Sequence, residues 1–322
     1  MSSGKVSSGK VSASEVGDYR DPPLAAVKEA VARALAEDLL PLGDLTASLV
    51  PADRHVVAVV KAREAGVLAG RLCAIETFAQ VDPEIVSDWR AVDGDRLVPG
   101  EEVGVVSGRL RSLLSAERTA LNFLCHLSGV ATLTSSFVGA AAAGAASQQV
   151  RILDTRKTTP GLRALEKAAV RAGGGFNHRG SLSEAVLIKD NHLGGLTIAE
   201  ALGAAKSRWP GRMLEVECDT PEQVAEALRA GATMILLDNM PPSQASDCVE
   251  LARSASTSRP GGEHVVIEVS GGMTIEAVPL YAAAGVDAIS VGALTHSAPV
   301  LDLGLDLAAG GVEGTIPPPT EP

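Results

Sequence analysis

Aromatic side chains are scarce in this chain of 322 residues, which has four Phe, two Tyr and two Trp. A surface that binds nucleic acid by base stacking therefore has almost nothing to be built from. Positive charge is also short, since the formal net charge is -11, and the broad basic face that nucleic acid requires is missing. Cysteine is limited to Cys73, Cys125, Cys218 and Cys248, widely spaced and without a CxxC pair. That pattern excludes a disulfide scaffold, argues against a zinc site and predicts free thiols in a reducing cytoplasm. The opening MSSGKVSSGKVSASEVGDYR repeats SSGKV and has no apolar run, so it reads as a flexible tail rather than a secretory signal or a transmembrane segment. The Pro-rich end GTIPPPTEP reads as extended, because proline removes backbone donors and fixes φ.

Against this background one stretch stands out. Arg151 to His192 holds eight Lys and Arg (Arg151, Arg156, Lys157, Arg163, Lys167, Arg171, Arg179, Lys189) against four acids, Asp154, Glu166, Glu184 and Asp190. An acidic protein that concentrates positive charge at one place, with His178 and His192 beside it, suits a small polyanion.

With 46% hydrophobic residues, the chain can bury a core and divide into two domains. Leu24, Val27, Val31, Ala34 and Leu35 recur at helical spacing, and Leu72 to Ala79 has the period of a helix on a sheet. Strands are expected at His55 to Lys61, at Gly66 to Gly70, and as a pair punctuated by Asp93-Gly94 and Pro99-Gly100. This irregular mixture predicts an α+β sandwich. Leu113 to Ala146 reads as a bridging helix with Gly129 and Gly139 as breaks. Beyond it RILDT, AVLIK, MLEVEC, MILLD, HVVIEVS and DAISVG alternate with amphipathic helices. Strands so continuously apolar are buried on both faces and made parallel by helical crossovers, which predicts a (β/α) barrel; with six clear strands where a full barrel has eight, either it is incomplete or further strands are hidden from the pattern. The predicted layout is a tail over 1–20, an α/β sandwich over 21–128, a barrel over 129–294, a return to the first domain over 295–311, and a tail over 312–322.

Active sites of such barrels lie at the carboxyl ends of the strands. Those ends carry Asp154, Arg156 and Lys157, then Lys189, Asp190 and His192, then Glu217, Asp238, Ser270 and Gly292. One charged strand end is often an ion pair with a loop, but so many converging on one rim indicate a site. Thr158-Thr159-Pro160-Gly161 reads as a capped helix start, ordinary or anion-binding. Arg163, Lys167 and Arg171 lie four apart on that helix and read as a solvated face. Ser270-Gly271-Gly272 opening a helix at Thr274, together with Gly292, could cradle a phosphate or simply form tight turns. Glu217 and Asp238 could balance the lysines, or stabilise a cationic sugar transition state directly or through a divalent ion.

RILDTRKTTPGLR, followed by GGGFNHR, LIKDNH, EVEC, LLDN, VSGG and ISVGALTHS, resembles quinolinate phosphoribosyltransferase, and so do ALAEDLLPLGDLT, REAGVLAG and SAERTALNFLCHLSG in the first half. The resemblance runs from about Leu24 to Leu307. It implies an N-terminal α/β sandwich, an incomplete seven-stranded barrel, and a homodimer, which could be built into a hexamer, whose sites are closed by the neighbouring subunit. By motif position it makes Arg118 the arginine offered across the dimer and Arg156, His178, Arg179 and Lys189 the cradle for quinolinate. Lys157 would lie between quinolinate and the phosphoribosyl donor. Glu217 and Asp238 would hold ribose hydroxyls and magnesium (Mg2+), and Ser270, Gly271, Gly272 and Gly292 the 5'-phosphate. The chain departs from the family at Cys125, at Cys218 and in GSLSEA between Arg179 and Lys189. The implied activity joins quinolinate to 5-phosphoribosyl 1-pyrophosphate with loss of pyrophosphate and carbon dioxide, giving nicotinate mononucleotide for NAD biosynthesis in the cytoplasm, with Lys157, Glu217 and Asp238 as catalytic groups. Two rivals are a Schiff-base aldolase using Lys189 and a non-catalytic paralogue. The complete set of Arg118, Arg156, His178, Arg179 and Lys189 weighs against the second.

Overall fold

The computed structural model describes residues 21–145, 149–257 and 262–308. Both expected tails, and the end of the expected return segment, lie outside the described residues. The first helix, α1 (Leu24–Leu39), buries Val27, Ala30, Val31 and Leu35 on one face. Strand β1 (His55–Ala62) alternates exposed and buried positions, as a sheet with one face on a core must. It is followed by β2 (Gly66–Val67), α2 (Arg71–Val81), β3 (Val86–Trp89), β4 (Arg96–Leu97) and β5 (Glu102–Arg109). Strands β1, β3 and β5 pair antiparallel, and the small β2–β4 ladder stands apart.

Helix α3 (Leu110–Gly144) is continuous over 35 residues. Gly129, expected to break it, instead permits a close approach: a Cβ there would lie 2.0 Å from the Pro299 carbonyl oxygen. Gly139 also sits inside the unbroken helix. In length and composition α3 could cross a membrane, but it is a core helix shared by two packed clusters. Leu113, Leu121 and Leu124 belong to the sandwich core with Val56, Val60 and Phe78, whereas Leu127, Val130 and Phe137 belong to the core beneath the barrel helices.

The chain then alternates strand and helix, with two helices in succession after the second of these strands. In order come β6 (Arg151–Leu153), α4 (Arg163–Ala172), β7 (Val186–Ile188), α5 (Asp190–Leu193), α6 (Ile198–Arg208), β8 (Leu214–Cys218) and α7 (Pro221–Arg229). After them come β9 (Met234–Asp238), α8 (Pro242–Thr257), β10 (Val266–Ser270), α9 (Val278–Ala283), β11 (Ala288–Ser290), α10 (Ala293–His296) and β12 (Leu303–Leu307). The six apolar segments read from the sequence are the six strands of one parallel sheet, ordered β6-β11-β10-β9-β8-β7. Phe176 adds an isolated parallel bridge to Leu153 on the far side of β6. The sheet stays open between that bridge and β7, so the barrel is incomplete, as expected. Strand β12 lies antiparallel to β1 in the four-stranded sheet β12-β1-β5-β3.

Candidate active site

The period of two along each barrel strand decides what the mouth contains. Lys189 follows its strand, Asp238 and Ser270 end theirs, and Glu217 is one residue short of the end of β8, all at the carboxyl side, and Leu187, Glu215, Leu236 and Glu268 lie two residues earlier on the same inward face. The rim and this layer beneath it enclose a cavity of about 420 Å³. Arg156, Lys157, His178, Arg179, Lys189, Glu217, Asp238, Ser270, Gly271 and Gly272 line it, with Thr155, Leu187, Leu236, Asn239, Glu268 and Ser290. Gly292 borders it, with its α-carbon so close to Lys157 that a Cβ would stand 3.2 Å from the lysine Cδ. Arg118 is elsewhere, on α3, lining a second cavity with Glu37, Asp38, Asn122 and His126. Asp154, Asp190 and His192, read as rim residues, do not line the mouth. Asp154 is buried behind it, and the other two are exposed on α5, where the His192 ring takes a hydrogen bond from the Lys189 amide at 3.0 Å.

Two expectations about the basic stretch need correcting. Thr158-Thr159-Pro160-Gly161 does not cap a helix, because α4 begins at Arg163 after Leu162. Its backbone is held instead by Glu166, fully buried, whose carboxylate accepts the Thr159 amide at 3.0 Å and pairs with His126 at 2.8 Å. Nor do Arg163 and Lys167 form a solvated face. Arg163 donates to the Arg156 and Gly180 carbonyls and to the Thr158 hydroxyl, tying together the loops that carry Arg156 and Arg179. Lys167 is buried, ion-paired to Asp154, and donates to the His178 carbonyl at 2.9 Å. Asp154 also accepts the His178 amide at 3.0 Å and the Asn177 side chain at 2.5 Å. Burial pushes the Asp154 carboxyl up and the Lys167 ammonium down, against their mutual attraction, so this pair shapes the loop rather than meeting a ligand.

At the rim, Lys189 pairs with Glu217, and Asp238 accepts from the Asn239 side chain at 2.7 Å. Arg179 is buried and donates to the Ala185 carbonyl at 2.9 Å. The GSLSEA departure closes as a turn in which Glu184 accepts the Gly180 amide at 2.7 Å, leaving Arg179 and Lys189 both on the mouth. Gly271 (φ 104°) has no room for a side chain, since a Cβ would lie 2.1 Å from Asn239 Oδ1. The helix expected at Thr274 begins at Val278.

Three residues escaped the sequence reading. His178 Nε2 lies 2.8 Å from Glu215 and 3.7 Å from Glu268, and the Ser290 hydroxyl donates to Glu268. Glu215 and Glu268 are buried, at 1% and 0% exposure. The signal was present: each is a carboxylate flanked by apolar residues inside a strand, Glu268 the one charge in β10 and Glu215 sharing β8 with Glu217, and each lies two residues before a rim position and so faces the barrel interior.

The chain matches the model of the quinolinate phosphoribosyl transferase C-terminal domain over residues 130–306, and that of the N-terminal domain over residues 44–128. It is 42% identical over 287 residues to the nicotinate-nucleotide pyrophosphorylase [carboxylating] of Mycobacterium leprae, covering 88% of this chain and 97% of that one. It is 40% identical over 268 residues to a probable enzyme of the same name from Bacillus subtilis, covering 82% of this chain and 88% of that one. Among solved structures, the nicotinate-nucleotide pyrophosphorylase from Francisella tularensis is similar with a TM-score of 0.82 at 37% identity, covering 90% of this chain and 98% of that one.

Proposed function

The chain belongs to the quinolinate phosphoribosyltransferase family and transfers the phosphoribosyl group of 5-phosphoribosyl 1-pyrophosphate to quinolinate with decarboxylation, giving nicotinate mononucleotide for NAD biosynthesis; we propose that the barrel mouth is where it does so. The observation that supports this is the composition of one cavity wall: Arg156, Lys157, Arg179 and Lys189, with His178, around the two rim carboxylates Glu217 and Asp238, with Glu268 beneath them. Four cations match two polyanionic substrates. Glu217 and Asp238 among them have no use in anion binding, but they match the positive charge that develops on the ribose carbon as pyrophosphate leaves.

Arg156, His178, Arg179 and Lys189 take the carboxylates of quinolinate, and Lys157 lies between quinolinate and the donor. Ser270, Gly271, Gly272 and Gly292 receive the 5'-phosphate on backbone amides that side chains would obstruct. Glu217 and Asp238 stabilise the oxocarbenium-like centre. Their hard oxygen donors, with only one Asp238 oxygen engaged by Asn239, fit magnesium, which when bound would neutralise substrate oxygens. Once the ring nitrogen is ribosylated it is a pyridinium, whose positive charge stabilises the electron pair left on the adjacent carbon when that carbon's carboxylate leaves as carbon dioxide, and a proton from water then takes up that pair. The reading is tested by pyrophosphate release with quinolinate against nicotinate. Nicotinate leaves cations unpaired, a penalty on the order of several kcal/mol, so equal turnover would overturn it.

The working unit is a homodimer in the cytoplasm. Support for the dimer is that Arg118 is exposed on α3 and lines a different cavity from the mouth, so a neighbour's mouth is the site it serves. Support for the compartment is four free thiols, with burial pushing Cys73 and Cys218 up to about 12. Arg118→Ala and Lys157→Ala subunits, each inactive alone, are expected to recover activity when mixed. Verified heterodimers without recovery would place Arg118 in its own chain's chemistry or in none.

A further inference from the structure

Resting on the reading of the mouth as the quinolinate site, we infer that Glu215 and Glu268, steadied by Ser290, are positioning residues for His178: they turn its Nε2 into the barrel and present Nδ1 to the substrate as a hydrogen-bond donor for one carboxylate.

A neutral imidazole that donates from Nε2 carries a lone pair on Nδ1 and repels a carboxylate there. His178 gives Nε2 to Glu215 at 2.8 Å, which leaves Nδ1 for the cavity it lines. It can serve a carboxylate only as the doubly protonated imidazolium. Burial works against that form, but the Glu215 hydrogen bond and the charges of Glu268 and Glu215 outweigh it, and the net shift is upward.

One carboxylate suffices to balance one imidazolium, and the layer holds two. Glu215 Oε1 and Glu268 Oε2 are buried without a hydrogen-bond partner. A single proton on Glu268 answers both, since a carboxylic acid can donate where two carboxylates cannot. Burial and then the neighbouring Glu215 push Glu268 up to about 8, against the pull of His178 and Ser290. The groups facing it are Glu215 from β8, His178 from the segment after α4 and Ser290 from β11, while β9 presents uncharged Leu236. Lys167 acts on His178, and Arg179 is coupled to Glu215, by charge. Near neutral pH the layer therefore holds one positive and one negative charge. Ionising Glu268 adds a net negative charge directly beneath a dianionic substrate.

The consequence has a definite sign. Quinolinate KM, measured with the phosphoribosyl donor saturating, is expected to rise toward tenfold per pH unit above about pH 8. In Glu268→Gln, which cannot ionise, that rise is absent. In Ser290→Ala, which removes a bond that favours the ionised form, it moves to higher pH, and this variant serves if the first does not fold. Glu215→Gln should raise quinolinate KM about tenfold while moving kcat far less, because the lost interaction is made in the ground state as well. Nitrogen-15 spectra of labelled histidine in the substrate-free protein should show both His178 ring nitrogens protonated at pH 7, and Glu215→Gln should return the ring to the neutral form. A neutral His178 in the unaltered protein, or the same alkaline rise in Glu268→Gln, overturns the inference. So does stoichiometric metal that Glu268→Gln releases, since these three side chains also offer ligand atoms within 4.8 Å of one another. The spectra need no substrate, so failure to turn over quinolinate would remove the functional reading and leave the His178 result standing.

Discussion

The rim of the barrel and the band of charge behind α4 carry the same residue types and treat them in opposite ways. Behind α4 each charge named here has protein partners: Lys167 with Asp154, Glu166 with His126 and the Thr159 amide, Arg163 with three acceptors on two loops. At the rim Lys157 is exposed, its ammonium free of any ion pair among the described residues, and the guanidinium Nε of Arg156 is buried without a partner. Paired charge shapes loops, because removing one member leaves a buried ion unbalanced. Charge left to meet a substrate either has no partner, as at Lys157, or is paired on the cavity wall itself, as Lys189 with Glu217. Composition alone sees eight cations in one stretch and cannot divide them.

The largest effect that would break this division lies at Glu217 and Asp238. As counter-ions to lysines, their amide forms would disturb stability and geometry. As stabilisers of the ribosyl centre, Glu217→Gln and Asp238→Asn should lower kcat roughly a hundredfold or more while quinolinate affinity holds or tightens. A folded double variant with near-normal kcat in saturating magnesium would leave the cations as the whole of the catalysis. Next in size is Lys167→Met. It strands Asp154 in a site with no exposure, and a lost partner of a buried pair costs about 3–5 kcal/mol. Removing both ions together, as Lys167→Met with Asp154→Leu, should cost less than Lys167→Met alone. Urea midpoints read both, and equal losses would show that the pair is not what holds the loop.

The division also explains what could be read before any coordinates. Six barrel strands were legible because burial on both faces writes an apolar run that few other structures share. The rim was legible wherever a charge stands at or beside the end of such a run, as at Lys189, Glu217 and Asp238. Lys167 was misread because spacing of four places it on one helix face but does not say whether that face meets solvent or the barrel wall. Asp154 was misread because a strand-end carboxylate can turn toward the mouth or behind it, and the Asn177 and Lys167 partners that decide lie 23 and 13 residues away. Arg118 came from resemblance alone, and resemblance picked His178 and Arg179 out of the basic stretch, since none of the three ends a strand. The continuous α3 was obscured by Gly129, whose contact with Pro299 is 170 residues distant and invisible to local rules.

The smallest effect sharpens the comparison from outside both regions. Thr197 opens α6, just after the rim loop of β7, with a reciprocal capping box: its hydroxyl accepts the Glu200 amide at 3.2 Å, and the Glu200 carboxylate accepts the Thr197 amide at 2.8 Å. The hydrogen bonds from Thr197, backbone first and then side chain, hold the Glu200 carboxyl below its ordinary range. A depressed carboxyl stabilises the fold above its unfolded-state value and loses that contribution as pH falls through its folded value. Thr197→Ala should therefore lower Tm by roughly 2–4 °C near neutral pH, as a lost cap does, and by less in acid. Quinolinate KM and kcat should not change, because neither Thr197 nor Glu200 reaches the cavity. A Tm loss with unchanged kinetics would mark Thr197 as scaffold, with Lys167 as scaffold coupled to the site and Glu217 as the site itself. A kinetic effect at Thr197 would mean that the rim loop depends on α6 more than its contacts indicate.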